Sequence, residues 1–170
     1  AGAGHWLADG GVLHVEVPYL RPMVENAEFD TIYHEHLSYF SVTALDHLFR
    51  AAGLVLWDVE QIALHGGSLI ARGMRHATAK PSVAALAAQE KAEGLTGLPR
   101  LERFAAGTQA LIAELPKFLG ALKDQGRRLA AYGAAAKGVV LTNACRLGGD
   151  YLDFVADRSP YKQGHLMPGT

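Results

Sequence analysis

The sequence predicts an α/β fold. Three observations carry that expectation: short alternating runs in the first part of the chain, an alanine-rich helical middle, and a strand, small-residue loop, helix and second strand in succession near the end.

In chain order, Ala1-Gly2-Ala3-Gly4 leads almost at once toward a strand, and Asp9-Gly10-Gly11 makes the turn before it. Val12 to Val17 alternates as a strand should and stops at Pro18, which has no N–H to give a ladder. The residues after Pro18 read as a loop. Ser41 offers a helix cap, Leu45, Leu48 and Phe49 recur at helical spacing, and Gly53 supplies the stop. Leu54 to Val59 and Gly67 to Arg72 then read as strands antiparallel to each other, joined by the turn Leu64-His65-Gly66-Gly67-Ser68. From Ala77 the composition turns helical, with Pro81 in a first turn and Val83, Leu86 and Ala87 on one face. A longer helix is expected from Leu98 to Lys123, with Leu101, Phe104, Ala105, Leu111, Ile112 and Leu115 as its apolar stripe and a kink at Pro116. Last come a strand from Arg128 to Tyr132, the loop Gly133-Ala134-Ala135-Ala136-Lys137-Gly138, a helix to Arg146 and a strand from Tyr151 to Ala156. Such β-α-β units wind right-handedly into parallel sheets and bind ligands beyond the strands' carboxyl ends.

Composition narrows the function classes. Of 170 residues, 49% are apolar and 19% charged, and the formal net charge is −1. That balance supports a real core and gives no electrostatic footprint for nucleic acid or an anionic membrane. No run approaches the roughly 20 apolar residues of a membrane span, and the start lacks the pattern of a signal peptide, so a cytoplasmic setting is expected. Cys145 has no partner for a disulfide or thiolate zinc site and reads as a small buried apolar residue. The abrupt start and the closing Met167-Pro168-Gly169-Thr170 read as those of a fragment.

The densest cluster of proton-handling groups is Tyr33-His34-Glu35-His36, in a loop between a strand and a helix. Histidine removes protons near neutral pH, a carboxylate orients its ring, and a phenol donates to developing oxyanion charge. Those roles suit enolate chemistry. In an extended loop His34 and His36 share one side and Tyr33 and Glu35 the other; a tight turn breaks this alternation, so spacing leaves the base open. Two other readings stand beside it. The histidines can simply cap the next helix, or His34, Glu35, His36 and His65 can bind a metal in a hydrolase, although their spacing departs from the i, i+4 histidine pair of zinc helices.

Gly133 to Gly138 opens a helix after a strand, so N–H groups and the helix dipole can receive a phosphate, with Lys137 adding charge. A small-residue turn made for close packing reads equally well there. His65-Gly66-Gly67-Ser68 lets backbone approach a ligand, or is a plain hairpin turn. Asp157-Arg158-Ser159-Pro160-Tyr161-Lys162-Gln163-Gly164 gathers charge at the same edge as the glycine loop, or is a plain solvated loop.

Together these segments resemble the S-adenosylmethionine-dependent sugar-nucleotide C-methyltransferases of deoxysugar biosynthesis, which methylate C-3 of a thymidine-diphosphate-linked 4-keto sugar. The resemblance rests on Glu16-Val17-Pro18-Tyr19, Glu28-Phe29-Asp30-Thr31-Ile32-Tyr33-His34-Glu35-His36 with Ser38-Tyr39-Phe40-Ser41, the His65 and Gly133 blocks, and Asp157 to Gly164. It implies the C-terminal portion of such an enzyme: residues 1–76 as the end of a Rossmann-like methyltransferase domain with the catalytic loop, and 77–170 as a truncated nucleotide-sugar-binding lobe built on a Rossmann-like β-α-β unit. It implies His36 as catalytic base with Tyr33 and Glu35 as partners. It also implies His65, Ser68, Gly133, Lys137, Asp157, Arg158 and Lys162 on the nucleotide-sugar side. S-adenosylmethionine is the implied cofactor, most of its site lying outside this chain, and zinc the implied metal of a cysteine-rich N-terminal region. The competing expectation is a nucleotide-sugar-binding module without catalysis.

Overall fold

The computed structural model describes residues 2–64 and 66–169. They fold into two compact units, the first made of residues 1–28 and 38–104 and the second of residues 29–37 and 105–170.

In the first unit, a short helix α1 (Gly2–Trp6) precedes strand β1 (Leu13–Pro18). The start of the chain is thus helical, a correction to the direct entry into a strand, and Arg75 holds it by donating to the Gly4 and Leu7 carbonyls. After β1 comes helix α2 (Leu20–Glu25), in a stretch expected as loop. Pro22 lies in its first turns, where the missing N–H costs nothing. Helix α3 (Val42–Ala51) follows, capped as expected, with Ser41 Oγ accepting the Ala44 N–H.

Strands β2 (Val55–Ile62) and β3 (Ser68–Met74) form the antiparallel hairpin, and β1 adds antiparallel to the other edge of β3, giving the order β1-β3-β2. A register shift between Leu56 and Asp58 inserts one extra residue. This bulge lets Leu56 and Val59, three apart, both reach the buried face, where period-two alternation would have separated them. The core packs that face against Val42, Leu45 and Phe49 of α3, and Val83 of helix α4 (Pro81–Glu93). On the polar face Arg72 reaches Asp58 at 3.2 Å and Glu60 at 2.7 Å.

Helix α5 (Leu98–Asp124) runs continuously through Pro116. Its apolar stripe is real in pattern, yet no residue of it is buried; Leu101 and Leu111 are exposed, while Phe104 packs on the core of the first unit.

The second unit contains the expected β-α-β element: β4 (Ala131–Tyr132), α6 (Ala136–Ala144) and β5 (Val155–Ala156), with the strands parallel. Both strands are shorter than predicted. The ladder forms only where the two backbones lie within reach of each other, although Asp153 N–H to Leu129 O at 2.8 Å extends the pairing before it. The whole is a mixed α/β molecule with small sheets. Among the described residues, no helix is long and apolar enough to cross a membrane.

Candidate functional site

The segment carrying the histidines leaves the first unit after Glu28 and returns at Ser38. Phe29–Thr31 forms a 3₁₀ turn that packs against α6, placing this segment in the same unit as the glycine loop. Next, the His36 N–H donates to Tyr33 O at 3.0 Å, closing a tight turn over Tyr33–His36. The turn breaks the alternation of an extended loop. It brings Tyr33 and His36 together, their rings edge to face with centroids 4.8 Å apart at 73°, while the Tyr33–His34 centroid distance is 6.1 Å. Tyr33 and His36 are half-buried; His34 and Glu35 are exposed. A proton acceptor and a phenol therefore sit side by side, each partly open to solvent.

The second cluster is built on the loop between β4 and α6. Gly133 has φ of +99°, a conformation that favours glycine, and its N–H donates to Ala156 O at 2.7 Å. A Cβ on Gly138 would meet Gly133 O at 2.9 Å, so this glycine serves close packing of the loop on its own helix. No side chain caps α6 at Ala135.

Asp157 follows β5 and folds back on the loop. One carboxylate oxygen accepts the Ser159 N–H at 2.8 Å, and the other accepts the Ala134 N–H at 2.7 Å. Those two backbone donors, Ser159 first, with the Lys162 ammonium 3.6 Å away, hold its carboxyl below the usual range. Lys162 donates to Ala134 O at 2.8 Å, and Gln163 Nε2 donates to Asp157 O at 3.0 Å. Gly133, Asp157 and Lys162 are thus brought together as one ordered loop pair. Lys137 lies half-buried in the first turn of α6, and Arg158 is exposed. A cleft of about 600 Å³ opens beside this pair, lined by Ala134, Asp157, Lys162, Gly149 and Leu166 among others.

Ser68 stands in the first unit, buried at the start of β3 with its hydroxyl donating to Leu64 O at 3.3 Å. His65, predicted at the same turn, lies outside the described residues. Its neighbours Gly66 and Gly67 have φ of +91° and +128°, and a Cβ on Gly66 would collide with the Glu28 carboxylate. Among the described residues, no group of three or more His, Cys, Asp or Glu side chains converges as a metal site.

Sequence reasoning missed what Gln163 and Ser159 do: they order the Asp157 loop through a side-chain amide and a backbone N–H. A turn signal around Ser159-Pro160 was the available hint.

Comparison with known protein families matches residues 63–170 to the C-methyltransferase C-terminal domain. This chain belongs to that family. The match takes in the glycine loop and the whole Asp157 segment. A second comparison reaches the remaining residues: the C-methyltransferase NovU of Streptomyces niveus is 37% identical over 172 residues, covering 99% of this chain. The chain spans 41% of that relative's length. As a C-methyltransferase C-terminal domain, the β4-α6-β5 element with its glycine loop falls entirely within the matched region, whereas the Tyr33–His36 turn lies before it.

Proposed function

We propose that this chain is part of a C-methyltransferase that moves a methyl group from S-adenosylmethionine to a carbon beside the keto group of a nucleotide-linked deoxysugar. The observation that carries the reading is the Tyr33–His36 turn, where a histidine and a phenol meet at 4.8 Å without being buried. A ketone acidifies the neighbouring C–H. His36 takes that proton onto a ring nitrogen, the C–H electron pair passes into the enolate, and the Tyr33 hydroxyl donates a hydrogen bond to the enolate oxygen. Glu35 polarises or orients the site. Loss of such a base costs about 10²–10⁴-fold in rate.

The nucleotide sugar, thymidine-diphosphate-linked by resemblance, is assigned to the second unit. Its diphosphate would meet the uncapped N-terminus of α6, with Lys137 and Arg158 supplying charge. His65 and Ser68 stay with the substrate side by resemblance alone.

S-adenosylmethionine supplies an electrophilic methyl group when bound. Among the described residues, the strand-loop-helix-strand of the second unit has the connectivity that adenosine sites use, with Asp157 where a ribose-binding acid would stand. That carboxylate is already committed to two backbone N–H groups and Lys162, so these residues do not fit the cofactor's ribose. The donor is assigned to the rest of a longer protein, as is the zinc of a cysteine-rich region, and a cytoplasmic setting completes the reading.

The test uses the intact protein with S-adenosylmethionine and a thymidine-diphosphate-linked 4-keto sugar. His36→Ala and His36→Asn are expected to lose turnover by about 10²-fold or more while still binding the sugar nucleotide. Wild-type turnover in both would remove His36 as the base. The non-catalytic module is read from calorimetry on this chain: diphosphate binding, with both His36 variants of the intact protein fully active, would favour it.

A further inference from the structure

Glu90 is an acid in an alanine-rich helix, and the proposed chemistry does not use it. Its side chain is among the most deeply buried in the protein, 1% exposed. A carboxylate so placed is costly unless its oxygens are satisfied. They are. Oε1 accepts the Val42 N–H, while Oε2 accepts the Thr43 N–H at 3.0 Å and the Thr43 hydroxyl at 2.7 Å. These are first-turn donors of α3, which have no partner within their own helix. From α4, Glu90 therefore caps α3 alongside Ser41, with its charge at the positive end of the α3 dipole.

The same carboxylate lies against the other end of the intervening segment. The Tyr19 hydroxyl is buried near Glu90 without meeting the geometry of a hydrogen bond, and burial, then the Glu90 charge, push its pKa well above the ordinary phenol value. One turn along α4, Glu93 grips Arg21 through two parallel contacts of 2.8 Å each. Backbone bonds close the base: Leu20 N–H donates to Phe40 O at 2.9 Å, and Tyr19 and Phe40 form a bridge. Thus α4 holds the chain where it departs, at Tyr19 and Arg21, and where it comes back, at Val42 and Thr43.

We infer that Glu90 is a positioning residue: its carboxylate holds the returning end of the Leu20–Tyr39 segment at Val42 and Thr43, while Glu93 beside it holds the departing end at Arg21, and the working geometry of Tyr33 and His36 depends on that lock through the backbone. The inference rests on the proposed deprotonation by His36.

Glu90→Gln keeps the size but turns an amide nitrogen toward either the Val42 or the Thr43 backbone N–H, so at least one contact becomes donor against donor. In the intact protein with S-adenosylmethionine and the 4-keto sugar nucleotide, this variant should lower kcat about tenfold or more with KM within about twofold, as expected when a reacting group is misplaced. With substrate deuterated at the reacting carbon, the isotope effect on kcat should rise, because C–H cleavage is the step slowed. A merely structural prop would lower the melting temperature and leave kcat per folded molecule and the isotope effect alone; that result overturns the inference. Should Glu90→Gln not fold, Thr43→Val removes a single donor and Glu90→Asp keeps the charge. Wild-type kcat and isotope effect in both would overturn it equally, and a graded loss would support it. His36→Asn separates the two ideas: if it stays active, the base assignment has failed, and if it is inactive while Glu90→Gln is normal, the lock alone has failed.

Discussion

Asp157 carries the same formal charge as any surface aspartate, but its two oxygens are tied to the Ser159 and Ala134 N–H groups. Because its folded pKa lies below the ordinary value, its stabilisation is present above about pH 4, the unfolded value, and is lost as pH falls further through the lowered one. Asp157→Asn should lower the melting temperature at pH 7, and the gap from wild type should close as both are taken below about pH 4. A gap independent of pH would mean that the carboxylate charge is not what holds the glycine loop. The sequence placed these charged groups at one edge but left open whether they meet a ligand or form a plain solvated loop. Two of them, Asp157 and Lys162, bind the loop itself. The Tyr33–His36 pairing was hidden for a related reason. Polar residues mark a loop as reactive, whereas the choice between extended chain and tight turn comes from one backbone bond, His36 N–H to Tyr33 O, and from the 3₁₀ turn packed on α6.

Elements whose ends are set by local chemistry were legible. Ser41 caps α3 and Pro81 opens α4, each as its residue type dictates. Features that depend on a partner element were not: the bulge beside Trp57 answers to α3 and α4, and the short ladder of β4 and β5 is limited by the two strands' own reach. Gly73 belongs to this class. A Cβ there would drive into the Phe49 ring of α3. Gly73→Ala should destabilise by about 1–3 kcal/mol by overpacking, and Phe49→Leu in the same chain should recover part of the loss in a denaturant titration. Equal losses from Gly73→Ala with and without Phe49 would disprove the clash. Arg146 offers the opposite case. It stands just after α6 with φ of +53°, left-handed backbone that a side chain resists. Arg146→Gly should raise stability by about 0.5–1 kcal/mol after the entropy cost of glycine is subtracted. A loss on that substitution would show that the arginine side chain contributes more than its backbone costs.

At the scale of the whole molecule, the two units are built unequally. Every residue of the main buried cluster, from Tyr19 to Leu95, belongs to the first unit. In the second, the buried residues among those described are Phe29, Thr31, Thr142, Cys145 and Leu147, and two of these are threonines. The alanine and glycine content of the second half foreshadowed this, since small side chains bury little apolar area each. Local stability follows local burial, so the first unit should hold the slowest-exchanging amides and the second should open more readily. Leu56→Ala, at the centre of the main cluster, should remove about 2–5 kcal/mol from the first unit. Hydrogen exchange read by mass spectrometry should then show β2 and β3 losing protection by the corresponding factor, while β4, α6 and β5 change little because they already exchange through smaller openings. If all these elements lost protection together, the chain would unfold as one cooperative body, and the glycine loop would owe its order to the core that Leu56 fills.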